Sequence, residues 1–159
     1  MTFPMMLPLT IPPTPHHGVL LFAHGARDPR WAEPFVAVAQ RLRERHPAIT
    51  VELAYLEFMA PTLVEAGVQL VAAGCQRVDV VPLFLGAGGH VRKDLPLLLA
   101  ELSATCPGVQ WHLQRVIGER DSVIDAMADA AAVFASDHES TATGSCADAP
   151  IPAPAAAPV

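Results

Sequence analysis

A chain of 159 residues and 16.9 kDa, 52% hydrophobic and 16% charged with a mean hydropathy of +0.34, is about one domain long and too apolar to be disordered throughout. Ten Lys and Arg against sixteen Asp and Glu give a net charge of -6, which argues against a nucleic-acid binder held by phosphate contacts. No uninterrupted apolar run of about 18 residues is present, so no membrane-spanning helix is expected.

Residues 1–17 are Pro-rich and predict an extended lead-in, with His16 and His17 as solvated bystanders. The stretch lacks a basic segment and holds five prolines, a poor match to a signal peptide. Val19–Ala23 then reads as a first strand, a continuous apolar run suited to a central parallel position. Asp28 before Pro29 suits a helix N-cap and first turn, with Pro34 delaying the regular helix. Trp31, Phe35, Val38 and Leu42 set its apolar face, and Pro47 closes it.

Thr50–Leu56 is the second strand, and a helix opened by Pro61 and ended by Gly74 follows. Val78–Leu85 and Val109–Val116 are the third and fourth strands. Val123, Met127, Ala130 and Phe134 mark a last helix. From Asp137 to Val159 small residues and prolines dominate, which predicts a mobile tail with His138 as a bystander. Residues 1–120 carry all ten basic and ten acidic residues, so the acidity is confined to residues 121–159. Cys75, Cys106 and Cys146 form neither an even set nor a CxxC pair, so two buried small hydrophobes and a tail thiol in a reducing, cytoplasmic setting are expected.

Successive strand–helix units predict an α/β fold, a doubly wound sheet of about four parallel strands with helices on both faces, over residues 18–136. Ligands of such sheets lie beyond the carboxyl ends of the strands, where strand order switches. There the chain places His24-Gly25-Ala26-Arg27-Asp28, Glu57-Phe58-Met59, the run from Gly86 to Asp94, and Ile117-Gly118-Glu119-Arg120. His24 and His90 on one edge suit a borderline divalent metal, and either imidazole is a competent proton acceptor near neutral pH. Glu57 could add an oxygen ligand or orient a histidine. Gly86, Gly88 and Gly89 leave the backbone bare for close approach, without the spacing of a dinucleotide or P-loop motif, so no nucleotide is expected. His46, at a helix end, and His112, inside a strand, are read as structural.

Arg27, Arg30, Arg92, Lys93, Arg115 and Arg120 lie close to strand carboxyl ends, whereas Arg41, Arg43, Arg45 and Arg77 fall near the opposite edge or on a helix surface. Cations around the mouth suggest a ligand bearing several carboxylates or phosphates.

HGARDP, LAYLEF and PLFLGAGGHVRKDLP together resemble the small sirohydrochlorin chelatase family over about Gly18 to Phe134. The resemblance implies a chelatase-like fold, a homodimer, and ATP-independent insertion of a divalent metal into sirohydrochlorin or a related tetrapyrrole, in cobalamin or sirohaem synthesis. Cobalt is favoured, with ferrous iron next and nickel as a further alternative. It also implies that His24 and His90 are the catalytic and metal-binding histidines, with Glu57 the acidic residue beside them. Arg27, Gly88, Gly89, Arg92 and Lys93 would hold the macrocycle. Two other readings compete. A histidine phosphatase needs an Arg immediately before its His-Gly, where this chain has Ala23. A non-catalytic metal-delivery or tetrapyrrole-binding protein would use the same ligands without turnover.

Overall fold

In a computed structural model the described residues are 16–86 and 88–139, the side chains at 90–92 and 135–139 excepted. They fall in two compact units that meet in sequence at Arg120 and Asp121.

The first unit holds four parallel strands: β1 (His16–Ala23), β2 (Thr50–Tyr55), β3 (Cys75–Pro82) and β4 (Gln110–Leu113). Their order, β2-β1-β3-β4, is the doubly wound arrangement expected from the repeating pattern. Alternation along β1 feeds two cores, because successive side chains leave a strand on opposite faces. Leu20 and Phe22 join Leu63, Ala66 and Leu70 of α2 (Leu63–Ala72) and Leu95 and Leu102 of α3 (Gly89–Thr105). Val19, Leu21 and Ala23 join Ala39, Phe35 and Leu42 of α1 (Glu33–Arg45) on the other face. Both cysteines within the described residues, Cys75 and Cys106, are free and buried.

Element boundaries differ from the sequence expectation for identifiable reasons. β1 starts at His16, inside the expected lead-in, because His17 finds a partner: its Nε2 lies 2.6 Å from Asp79 Oδ2 on β3. His17 is therefore a part-buried cross-strand residue and not a solvated bystander. β3 stops at Pro82, short of Leu85, because β1 ends beside it; Leu83 N–H to the Phe22 carbonyl (2.7 Å) is the last rung. β4 is an edge strand with one neighbour and ends at Leu113, after which Gln114 N–H makes a final bond to the Val80 carbonyl at 2.9 Å. In α1 the buried position is Ala39, and Val38 is exposed, since the face defined by Phe35 and Leu42 passes through Ala39 at the i+4 step.

Helix starts follow cap chemistry. The Asp28 carboxylate accepts from Arg30 N–H (3.0 Å) and caps a 3₁₀ turn, Pro29–Ala32, ahead of α1, much as Asp28, Pro29 and Pro34 predict. Arg30 also holds Asp28 through its side chain, which keeps that carboxyl below the usual range. α2 begins at Leu63 rather than Pro61 because Thr62 and Glu65 form a reciprocal capping box, worth about 1 kcal/mol.

The second unit is α4 (Asp121–Glu139), which forms where the spacing predicts it. Of its expected face, Val123 is half-buried whereas Met127 and Phe134 are exposed. The helix covers residues 137–139, so the expected tail begins inside it, and the remaining tail residues lie outside those described. Among the described residues no helix is long and apolar enough to cross a membrane.

Candidate functional site

Strand order reverses between β1 and β3, which are neighbours although β2 lies between them in sequence. The segment after β1 leads to α1 on one face, and the segment after β3 leads to α3 on the other. A crevice opens at such a divergence, beyond the carboxyl ends of the strands. His24 is the first residue past β1, and Glu57 lies just past β2.

Two backbone bonds carry the β1–β2 ladder beyond the strands: Leu56 N–H to the Ala23 carbonyl at 2.9 Å and Glu57 N–H to the His24 carbonyl at 3.0 Å. Gly25 makes this approach possible. Its φ is +88°, and a Cβ there would drive into the Glu57 carbonyl oxygen. The result is a side-chain pair: His24 Nε2 lies 3.5 Å from Glu57 Oε1, with the two side chains 54% and 46% exposed. Among the described residues neither side chain has a hydrogen bond to another side chain.

The segment after β3 packs beside His24. Phe84 meets the His24 ring edge-on, with centroids 6.4 Å apart, and meets Phe22 in the same way at 5.9 Å. That segment is anchored by Gly118 N–H to the Phe84 carbonyl (3.0 Å), and a Cβ at Gly118 would collide with Leu85 backbone. A cleft of about 220 Å³ lies nearby, lined by Phe22, Leu56, Thr62, Leu63, Leu98 and Glu101 among others. It is smaller than the roughly 300–1,000 Å³ of ordinary small-molecule pockets.

The other sequence-predicted residues divide into three groups. Gly88 is the N-cap of α3 and Gly89 its first residue; a Cβ on either would meet nothing within 4 Å, so internal packing does not demand glycine there. His90 and Arg92 stand in the opening turn of α3, at the carboxyl end of β3, and their side chains lie outside those described. Lys93 is exposed on the same helix. Of the six cations expected at the mouth, Arg30 pairs with Asp28 and Arg115 lies 3.9 Å from Glu119, both with their guanidinium side chains exposed. Arg27 has no carboxylate partner among the described residues; its guanidinium stands 5.2 Å from the Phe58 ring centroid. His46 is the exposed C-cap of α1, and His112 is exposed on β4.

Among the described residues no cluster of three or more His, Cys, Asp or Glu side chains is arranged to hold a metal ion. The pair His24–Glu57 supplies one nitrogen and one carboxylate donor, which would leave room for further ligands from a substrate or from α3. Sequence reasoning did not single out Phe58 and Phe84. Phe58 lies in the LAYLEF run and has a left-handed backbone at φ 64°, a conformation that no composition signal announces.

Comparison with known proteins places this geometry. The family model described as CbiX matches residues 18–132. A protein of Saccharolobus solfataricus named sirohydrochlorin cobaltochelatase is 42% identical over 82 residues, covering 52% of this chain and 62% of the relative. One of the same name from Methanocaldococcus jannaschii is 37% identical over 82 residues, covering 52% of this chain and 57% of the relative. The chain thus spans about three-fifths of the length of the curated relatives it matches. A crystal structure of a CbiX protein assigned to cobalamin biosynthesis in Marinobacter aquaeolei VT8 superposes with a TM-score of 0.70 at 32% identity, covering 77% of this chain and 98% of that one. The sirohydrochlorin chelatase SirB of Bacillus subtilis, solved with cobalt, shares the fold with a TM-score of 0.63 at 24% identity, covering 69% of this chain and 47% of SirB.

Proposed function

Because the chain belongs to the CbiX family, we propose that it inserts a divalent metal, cobalt before ferrous iron and nickel, into sirohydrochlorin or a closely related tetrapyrrole without a nucleotide. The observation that carries this reading is the His24–Glu57 pair, held 3.5 Å apart at the switch in strand order and half open to solvent. The names of the relatives support the substrate, and the SirB structures with cobalt and with Fe³⁺ support cobalt and iron among these metals.

In this reading the metal ion is a substrate that reaches the macrocycle from His24, with His90 at the start of α3 as the second imidazole. Insertion exchanges the ion for two pyrrole N–H protons. Once the ion has left it, the His24 imidazole accepts one of them, the Glu57 carboxylate stabilises the imidazolium that forms, and the second proton passes to solvent. The glycines before His90 let the macrocycle approach the backbone, while Arg27, Arg92 and Lys93 take its peripheral carboxylates by charge-assisted hydrogen bonds. Contacts at the periphery help to bend the ring toward the metal, a use of remote binding energy at the reacting centre.

The domain proposed to perform this is residues 18–136. We place the protein in the reducing cytoplasm, in line with the free Cys75 and Cys106, and working as a homodimer. An anaerobic incubation with sirohydrochlorin and Co²⁺, followed by visible absorbance, tests the reading. Conversion faster than the protein-free control, lost in His24→Ala and His90→Ala, is the expected result. Binding of the macrocycle with no acceleration would favour a carrier instead.

A further inference from the structure

Phe58 combines four features that loop residues rarely share. It is a bulky aromatic with φ 64°, in the region that L side chains other than Asn and Asp seldom enter. It follows Glu57 directly in sequence. It is 58% exposed although large and apolar. Its ring carries the Arg27 guanidinium at 5.2 Å, a cation–π contact that ties the segment after β1 to the segment after β2. The positive φ lets Met59 N–H reach the Glu57 carbonyl at 2.8 Å in a tight turn, which accounts for the backbone, but an outward aromatic at its tip adds little to the core and presents its ring to a ligand.

We infer that Phe58 is a substrate-contact residue, a stacking platform for the flat apolar surface of a carboxylate-fringed macrocycle, with Arg27 above it as a paired carboxylate clamp. This deepens the proposed function and rests on it. A conjugated ring of this kind presents a π surface in its middle and anionic arms at its rim. Phe58 suits the first and Arg27 the second, and their mutual contact sets the spacing between the two recognitions. The platform adjoins the metal pair because Phe58 and Glu57 share a peptide bond, so a macrocycle resting on Phe58 brings its ring nitrogens toward His24. Leu85, in the segment after β3, is a second large apolar side chain left exposed in a segment that follows a strand's carboxyl end.

The test compares Phe58→Gly, Phe58→Trp and Arg27→Gln with wild type in the full chain. Metal-free sirohydrochlorin is titrated by visible absorbance, and turnover is measured with Co²⁺. Phe58→Gly relieves the backbone, so its melting temperature is expected to equal or exceed that of wild type. Its affinity for the metal-free macrocycle is expected to fall roughly tenfold, with KM rising accordingly and kcat within about twofold. Phe58→Trp retains the π surface and restores binding. Arg27→Gln weakens binding on its own and more steeply for substrates that keep all their carboxylates than for esterified ones. Unchanged macrocycle affinity in Phe58→Gly, or weakened binding that Phe58→Trp does not restore, overturns the platform while leaving the proposed chelation standing. A wild-type protein that neither binds nor converts sirohydrochlorin instead overturns the chelatase reading and the platform with it.

Discussion

His17 near the start of β1 and His24 just past its end each face a carboxylate from another strand or its flank, and the two pairs are built in opposite ways. His17 Nε2 lies 2.6 Å from Asp79 Oδ2, with the side chains 38% and 16% exposed, and the other Asp79 oxygen accepts from Gln114 Nε2 at 2.8 Å. Burial works to raise the Asp79 pKa, but the hydrogen bonds from His17 and Gln114 and the charges of His17 and Arg77 outweigh it and hold the carboxyl below its usual range. That pair joins β1, β3 and the end of β4. His24 and Glu57 stand farther apart, more exposed, and without a third side chain completing their hydrogen bonding among the described residues. A saturated pair stabilises a sheet; an unsaturated one keeps its lone pairs for a metal or a proton. A histidine beside a carboxylate thus forms a closed pair within the sheet at one end of β1 and a looser, more exposed pair at the other, where the proposed chemistry would take place.

The most drastic way to break the open pair is through its backbone. Gly25→Ala adds a Cβ against the Glu57 carbonyl at a positive φ, and should cost more than about 3 kcal/mol, seen as a large fall in melting temperature together with loss of chelation. His24→Ala should do the reverse: metal insertion falls by roughly 10²–10⁴-fold, while thermal stability stays within about 0.5 kcal/mol, because the ring is half exposed and has no side-chain hydrogen bond among the described residues.

Asp79→Asn sharpens the contrast from the closed side. It should lower stability by about 1–3 kcal/mol in chemical denaturation and leave activity per folded molecule unchanged. A pH series gives the sign. Because the folded-state pKa of Asp79 is depressed, its stabilisation is complete above the ordinary carboxylate value near 3.9 and disappears as pH falls through the lower folded value. The stability gap between wild type and Asp79→Asn should therefore narrow below about pH 4; a gap that widens there would contradict the assignment. Thr62→Ala is the smallest change. It removes the α2 capping box, should cost about 1 kcal/mol in a thermal melt, and should leave both histidine pairs as they are.

Much of this molecule is legible along the chain. Apolar runs at Val19–Ala23 and from Val78 onward located the two central strands, and Asp28, Pro29 and Pro34 located the delayed start of α1. The rule for doubly wound sheets then directed attention to His24 and Glu57, which the fold does bring together. Strand ends were less legible, because they depend on where the neighbouring strand stops: β3 ends at Pro82 beside the end of β1 although its apolar run continues to Leu85. His17 was misjudged for a related reason. Its partner lies on a strand 62 positions away, and nothing in a Pro-rich neighbourhood signals a carboxylate across the sheet. Arg30 and Asp28 lie close in sequence, but their bidentate geometry emerges only in the capped turn.

Local chemistry along the polypeptide was enough to set which segments become strands and helices and which side chains gather at one sheet edge, because those outcomes follow from periodicity, caps and the topology of parallel crossovers. Which histidine is saturated and which is left open was settled in three dimensions. Hydrogen-bond completion depends on the third and fourth neighbours, and these come from strands and loops that only the assembled sheet places side by side.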